Sequence, residues 1–492
     1  MIEQFTALEL GQKVNNKEIK PTEVIEDFVK RYDKISPMVN AFTYTEVDYA
    51  VEKAKELEKR IMRGDNDIGV LAGVPVALKD FLPSKKGWKN SHGGVPSLVA
   101  EDECDSEFTK AAEKLDAIIV GKTNAPAFGF RGLTDNVMYG PTSTPFKLGY
   151  NSGGSSGGAA SAVASGLISV GEAGDAGGSI RIPAAWCGCF GFKASAGLIP
   201  SVCRPDAWTA THPYCCTGTE TRSVADSAIM YTMMEKYDPR DPISVKAHQT
   251  SRLLALDKDV RNMKVAMTFN FDLFPDPDAE IAKAMVNMSQ VMQEAYPGLK
   301  IDVHPHFNFN YSLKEYEDAW LRGISIDTAV DLELMRRNGF DLQGDHADEL
   351  PPEFIEWNKK ALVSTILDYR QFHEIRTDIL DAHQDIFDDY DLILAPVTGC
   401  MPPKNETEKG KLTYGPSELN GVKVDPLIGF CYTYLENMIG TSAASIPIGL
   451  SKEGFPIGMQ IIAPRYYDRD LFRFAFALEQ AMPWRHLYPD LI

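Results

Sequence analysis

The run Asn151-Ser-Gly-Gly-Ser-Ser-Gly-Gly158, followed by Gly171-Glu-Ala-Gly-Asp-Ala-Gly-Gly-Ser-Ile-Arg181, decides how the rest of the chain is read. It holds two serines set among glycines, Ser155 and Ser179, within a segment of small residues. Glycine has no Cβ, so it admits φ > 0 and lets a carbonyl group come close to main-chain N–H groups. A serine among such N–H groups is a candidate nucleophile beside its own oxyanion hole.

Three other readings of this stretch fail on its surroundings. A flexible Gly/Ser linker would not continue into Ala159-Ala-Ser-Ala-Val-Ala-Ser165, which suits a helix, and then into the strand-like Leu167-Ile-Ser-Val170. A phosphate loop of the Walker type ends in Gly-Lys-Ser/Thr; this segment has none, and Gly121-Lys-Thr123 lacks the earlier glycine. Gly153-Gly-Ser155-Ser-Gly157 does match the Gly-x-Ser-x-Gly nucleophile elbow. That elbow is entered from a buried strand, whereas Pro145 to Ser152 is broken by Pro145 and Gly149.

A serine hydroxyl needs an adjacent base. No histidine lies near the glycine segment in sequence except His212, and no Ser-x-x-Lys occurs. The remaining base is a neutral lysine, whose pKa of about 10.4 must fall several units through burial. Upstream, Val70-Leu-Ala-Gly-Val-Pro-Val-Ala-Leu78 reads as a buried strand that delivers Lys79 to its end. From position alone, Lys79 reads rather as a snorkelling lysine or one paired with Asp80.

Further out, Val24, Ile25, Phe28, Val29, Tyr32 and Ile35 keep a helical period after Pro21, and Tyr49 to Met62 repeats it. A helix around Phe108 to Leu115, then the strand Ala117-Ile-Ile-Val120, sets up strand–helix alternation. The expected fold class is therefore α/β, a central mixed and mostly parallel sheet covered by helices on both faces. One domain is expected, in four parts. These are a helical layer over 1–65, a core over 66–210, a helical insertion or substrate lobe over 211–390, and a return to the sheet over 391–492. In the lobe, Trp320, Trp357 and Arg370 read as packing or surface residues. Asn405 to Ser417, polar with Gly410 and Gly415, reads as a mobile surface loop.

Composition excludes several classes. The net charge of −19 disfavours nucleic acid and anionic membrane as partners, since both draw on clustered Lys and Arg. No apolar run of about eighteen residues is present, and the N-terminus carries acid where a signal peptide carries base, which predicts a cytoplasmic protein. Cys187-Gly-Cys189 and Cys215-Cys216 lack zinc-site spacing and read as buried free thiols. His304-Pro-His306 is the one close histidine pair and reads as a loop.

The ordered blocks together resemble the amidase signature enzymes. The resemblance is carried by Gly-Gly-Ser155-Ser-Gly-Gly, Asp175-Ala-Gly-Gly-Ser179-Ile-Arg-Ile-Pro183, Cys187-Gly188 with Gly191-Phe-Lys193, and Gly73-Val-Pro-Val-Ala-Leu-Lys79-Asp80. Gly121-Lys-Thr-Asn124, Ile446-Pro-Ile-Gly449 and Gly454-Phe-Pro-Ile-Gly-Met-Gln460 extend it over most of the chain. It implies an amidase that cleaves a carboxamide C–N bond through an acyl-enzyme. Lys79 would be the base, Ser155 the bridging serine after a cis Gly154–Ser155 peptide, and Ser179 the nucleophile. The N–H groups of Ala176, Gly177, Gly178 and Ser179 would form the oxyanion hole. Asp175 and Arg181 would support the loop as an ion pair, with Ser156 in the same network. No metal or organic cofactor is implied. The partner is a small or medium amide, linear or cyclic, and a homodimer is compatible with it.

Within the family, Pro456-Ile-Gly-Met-Gln460 and Ala481-Met-Pro-Trp484 are similar to bacterial 6-aminohexanoate cyclic dimer hydrolase. The alternative is the amidase subunit of a tRNA-dependent amidotransferase. Ala127, Ala194-Ser195 and Tyr434-Leu-Glu-Asn-Met-Ile-Gly440 depart from the common pattern and bear on the substrate rather than the chemistry.

Overall fold

A computed structural model describes residues 2–246, 253–256, 259–303, 305–408 and 410–492. His304 of the histidine pair lies outside the described residues. Among the described residues eleven strands form one sheet. In chain order they are β1 (Phe42–Thr45), β2 (Pro75–Lys79), β3 (Ile118–Thr123), β4 (Val170–Asp175), β5 (Phe190–Lys193), β6 (Cys216–Thr221), β7 (Lys264–Met267), β8 (Lys300–Val303), β9 (Leu392–Pro396), β10 (Ser442–Leu450) and β11 (Pro456–Ala463). Across the sheet the order is β1-β3-β2-β4-β6-β5-β10-β11-β9-β7-β8.

The α/β class and the mixed sheet are as expected, but the sheet is not mostly parallel. Only β2 with β3, β2 with β4, β7 with β9 and β7 with β8 run parallel; the other six neighbouring pairs are antiparallel. A parallel pair needs a long crossover, usually a helix, and two of the antiparallel pairs are joined by links that hold none. The link from β10 to β11 is a tight turn closed by the Ser451 N–H on the Phe455 carbonyl at 2.8 Å. Residues between β5 and β6 hold no helix, so that pair also returns antiparallel.

Both faces of the sheet are covered. Leu392 and Leu394 of β9 pack into one core while Ile393 and Ala395, pointing the other way, pack into a second. The first core is completed by the N-terminal helices and by Val224–Met234, Ala279–Ala295 and Asp468–Ala481. The second takes the helices Leu313–Arg337, Pro352–Leu362 and Ile366–Phe387. Helix Arg181–Cys187 touches both, through Ala184 and Cys187 on one side and Ile182 and Trp186 on the other.

Three regional expectations change. The N-terminal layer is not all helix, because Phe42–Thr45 adds the edge strand β1 between helices Pro21–Val39 and Val47–Arg63. The stretch over 211–390 is not a separate helical lobe throughout, since β6 lies at the centre of the sheet and β7 and β8 at its far edge. The loop from Asn405 is anchored rather than loose: Thr413 is buried, its N–H donating to Asp135 and its carbonyl accepting from Arg131. Lys409 in that loop lies outside the described residues.

Candidate active site

β2 is flanked on both sides by parallel strands, which is why its residues are all buried and apolar until Lys79. Burial brings the ammonium into a place where water cannot solvate it. Lys79 Nζ lies 2.7 Å from Ser155 Oγ, and both residues are buried. Phe81 covers the amine from 5.7 Å. Gly129 adjoins both: a Cβ there would stand 3.0 Å from the Phe81 ring and 3.3 Å from Ser155 Oγ. The Gly154–Ser155 peptide is cis.

Burial pushes the Lys79 amine down to about 7, and the negative charges of Asp175, Glu172 and Glu220 oppose this without cancelling it. Two of these acids are themselves displaced by burial. Burial raises Glu172 to about 7, although Ser106 Oγ and the Lys79 N–H donate to it. Burial, reinforced by Asp175, lifts Glu220 well above the carboxylate range.

Ser179 is half-buried and lines a narrow cleft. The Ser156 N–H donates to the Ser179 carbonyl at 3.2 Å, which holds the Ser155 turn against the Ser179 loop. Among the described residues no hydrogen bond joins the Ser155 and Ser179 hydroxyls. Ser156 Oγ sits 3.3 Å from the Gly174 N–H and 3.4 Å from its carbonyl, so this side chain ties the two glycine segments together.

The loop after β4 is fixed peptide by peptide. Asn437 Nδ2 donates to the Asp175 carbonyl at 3.0 Å, Trp320 Nε1 to the Ala176 carbonyl at 3.0 Å, and the Ile182 N–H to the Gly178 carbonyl at 2.8 Å. In a planar trans peptide the N–H points opposite to the carbonyl. Each of these bonds therefore aims the following N–H the other way, and the N–H groups of Ala176, Gly177 and Ser179 have no intramolecular acceptor among the described residues. Gly178 differs from expectation. Its N–H is engaged by Asp175 Oδ1 at 2.7 Å, because the carboxylate folds back over the loop it precedes. Three of the four expected donors are thus free. Gly178 has φ +120°, open only to glycine, and Thr433 Oγ1, which donates to the Gly177 carbonyl at 2.6 Å, fills the space a Cβ would need.

Asp175 and Arg181 do pair, through two bonds of 3.1 Å each. Burial alone would raise the Asp175 carboxyl, but the guanidinium beside it holds it at about 2. Arg181 also reaches Glu436 at 3.0 Å, Gln460 at 2.9 Å and Asn437 at 2.7 Å, and all its donors are buried. None of these three partners was foreseen, and neither was Trp320. In the sequence Glu436 and Asn437 stand out only within a departure from the family pattern, and Gln460 only as the end of a family block.

Phe130, Ile182, Trp320, Ile324, Leu427, Ile428 and Tyr434 give the cleft an apolar wall around Ser179. Cys187, Cys189 and Cys431 are buried and free, whereas Cys215 is free but exposed and Cys216 only partly covered, which corrects the expectation for that pair. Among the described residues no helix is long and apolar enough to cross a membrane.

Known proteins are similar to this chain over nearly its full length. The family model for Amidase matches residues 23–472. An acylamidase of Rhodococcus erythropolis is 30% identical over 489 residues, covering 99% of this chain and 97% of that protein. The crystal structure of a bacterial aryl acylamidase of the amidase signature family superposes with a TM-score of 0.93 at 38% identity, covering 99% of this chain and 98% of the other. The structure of 6-aminohexanoate cyclic dimer hydrolase complexed with substrate gives a TM-score of 0.84 at 25% identity, with 99% of each chain covered. With the match spanning nearly its full length, this chain belongs to the Amidase family, hydrolases that act on carbon–nitrogen bonds other than peptide bonds.

Proposed function

We propose that the protein hydrolyses a small or medium carboxamide through a Lys79–Ser155–Ser179 relay and an acyl-enzyme. The observation that carries this reading is the buried contact of 2.7 Å between Lys79 Nζ and Ser155 Oγ, with Ser179 on the cleft wall beside it. A lysine near 7 is unprotonated often enough at neutral pH to accept a proton, which an exposed lysine is not.

In this mechanism Ser179 Oγ attacks the amide carbon while its proton passes to Ser155 Oγ, whose own proton passes to Lys79 Nζ. The carbonyl oxygen becomes an oxyanion held by the N–H groups of Ala176, Gly177 and Ser179. Collapse breaks the C–N bond, and the proton returns from Lys79 through Ser155 to the departing nitrogen, so a neutral amine leaves. Water enters by the same relay, a hydroxyl group adds to the acyl carbon, and Ser179 is released with a carboxylic acid. The relay requires the two serine hydroxyls to come within hydrogen-bond reach during the transfer.

The apolar cleft wall favours an amide with an uncharged apolar or aryl group, in keeping with the acylamidase and aryl acylamidase names of two relatives. A cytoplasmic setting belongs to the same reading and suits eight unpaired cysteines. The test is hydrolysis of anilides, primary amides and cyclic amides by the purified single chain, with Ser179→Ala as control. Turnover of an anilide by wild type alone supports the reading. Activity only with added partner subunits would favour the amidotransferase alternative.

A further inference from the structure

We infer that Trp320, on helix Leu313–Arg337, is a positioning residue that aims the Gly177 N–H at the oxyanion. The inference rests on the proposed acyl transfer at Ser179 and adds a part that the sequence gives no hint of.

Three facts converge on this side chain. The indole Nε1 donates to the Ala176 carbonyl at 3.0 Å. The ring lies against Gly177 so closely that a Cβ there would meet Cζ2 at 2.3 Å. Trp320 also lines the cleft that holds Ser179. The Ala176 carbonyl and the Gly177 N–H belong to one planar trans peptide, so gripping the oxygen from behind fixes the direction of the N–H in front. The neighbouring peptides of the loop are gripped by other groups: Asn437 holds the Asp175 carbonyl, Thr433 the Gly177 carbonyl and the Ile182 N–H the Gly178 carbonyl. Only the Ala176 carbonyl depends on a residue from the helical lobe.

This gives the lobe a part in the chemistry besides walling the cleft. Without the indole N–H, the peptide between Ala176 and Gly177 is free to rock, and one of three free donors loses its aim. Oxyanion donors work because they are fixed before charge develops, so the loss falls on the transition state rather than on ground-state binding.

The test uses Trp320→Phe, which keeps an aromatic ring and removes the donor, and replacement of Trp320 by benzothienylalanine, which keeps the bicyclic shape if the phenylalanine variant fails to fold. Two readouts separate aim from packing. The first is the rate of Ser179 labelling by a fluorophosphonate probe. The second is affinity for trifluoroacetophenone, which forms a tetrahedral adduct with a serine, against acetophenone, whose carbonyl is not activated for addition. The expected result is about a tenfold loss in labelling rate and a similar loss for trifluoroacetophenone, the scale of one hydrogen bond. Acetophenone affinity and the pH midpoint of labelling stay unchanged. Wild-type behaviour on both readouts, or equal losses for the two ketones, overturns the inference while leaving the relay intact. Wild-type protein that the probe does not label at Ser179 overturns the relay itself.

Discussion

Lys79 Nζ and Ser155 Oγ, 2.7 Å apart, form a contact from which bulk water is excluded. Because the amine must be neutral to accept a proton, the rate of amide hydrolysis depends on its deprotonated fraction. Burial sets its pKa at about 7. Below that value Lys79 is an ammonium and the relay is blocked; above it the amine is free. The value of kcat/KM for an amide is therefore expected to rise with pH through a midpoint near 7 and then level off. A flat profile between pH 5 and 9 contradicts the assignment of the base.

Lys79→Met removes the base and also a buried amine that folding has to neutralise. Activity is expected to fall by about 10²–10⁴, the range for losing general acid–base help. Thermal stability is expected to hold, since an apolar chain replaces a group that burial disfavours. Melting curves and kcat/KM measured on the same preparation check both halves.

Arg181→Met leaves the Asp175 carboxylate buried without its counter-charge. A loss of about 3–5 kcal/mol is expected at pH 7, the scale for breaking one side of a buried pair. Asp175 sits at about 2 in the fold against an ordinary 3.8, so its pairing stabilises the native state fully above about pH 4 and fades as pH falls toward 2. The gap between wild type and variant, read by urea unfolding, should accordingly narrow on acidification. A gap that widens toward pH 2 would show that the pair is not what the arginine supports.

Gly177→Ala places a methyl group 2.3 Å from the Trp320 ring. Either the ring or the loop must move, at about 1–3 kcal/mol of stability for overpacking. Movement of the loop displaces an oxyanion donor, so kcat is expected to fall by more than KM rises. Unchanged kinetics would place Gly177 outside the site.

How much of this was legible follows from what each feature depends on. Ser155 and Ser179 stand out by the glycines around them, whereas Lys79, Asp175 and Arg181 could be named only through the resemblance to the amidase signature enzymes. Glu436, Asn437, Gln460 and Trp320 reach the same loop from more than a hundred residues away, and nothing in their own segments says which distant group they will bond. The role of Gly178 was misread because the rival acceptor, the Asp175 carboxylate, is a neighbour whose direction only the folded loop decides. β6 was missed since Cys-Thr-Gly-Thr-Glu-Thr reads as an exposed polar segment, yet Glu220 on it is buried between neighbouring strands.

The most direct test of the relay is to identify the residue a fluorophosphonate modifies, by peptide mass spectrometry, in wild type, Ser179→Ala, Ser155→Ala and Lys79→Met. The account predicts an adduct on Ser179 in wild type, none in Ser179→Ala, and much slower modification of Ser179 in the other two. An adduct on Ser155, or wild-type labelling rates without Lys79, would contradict it.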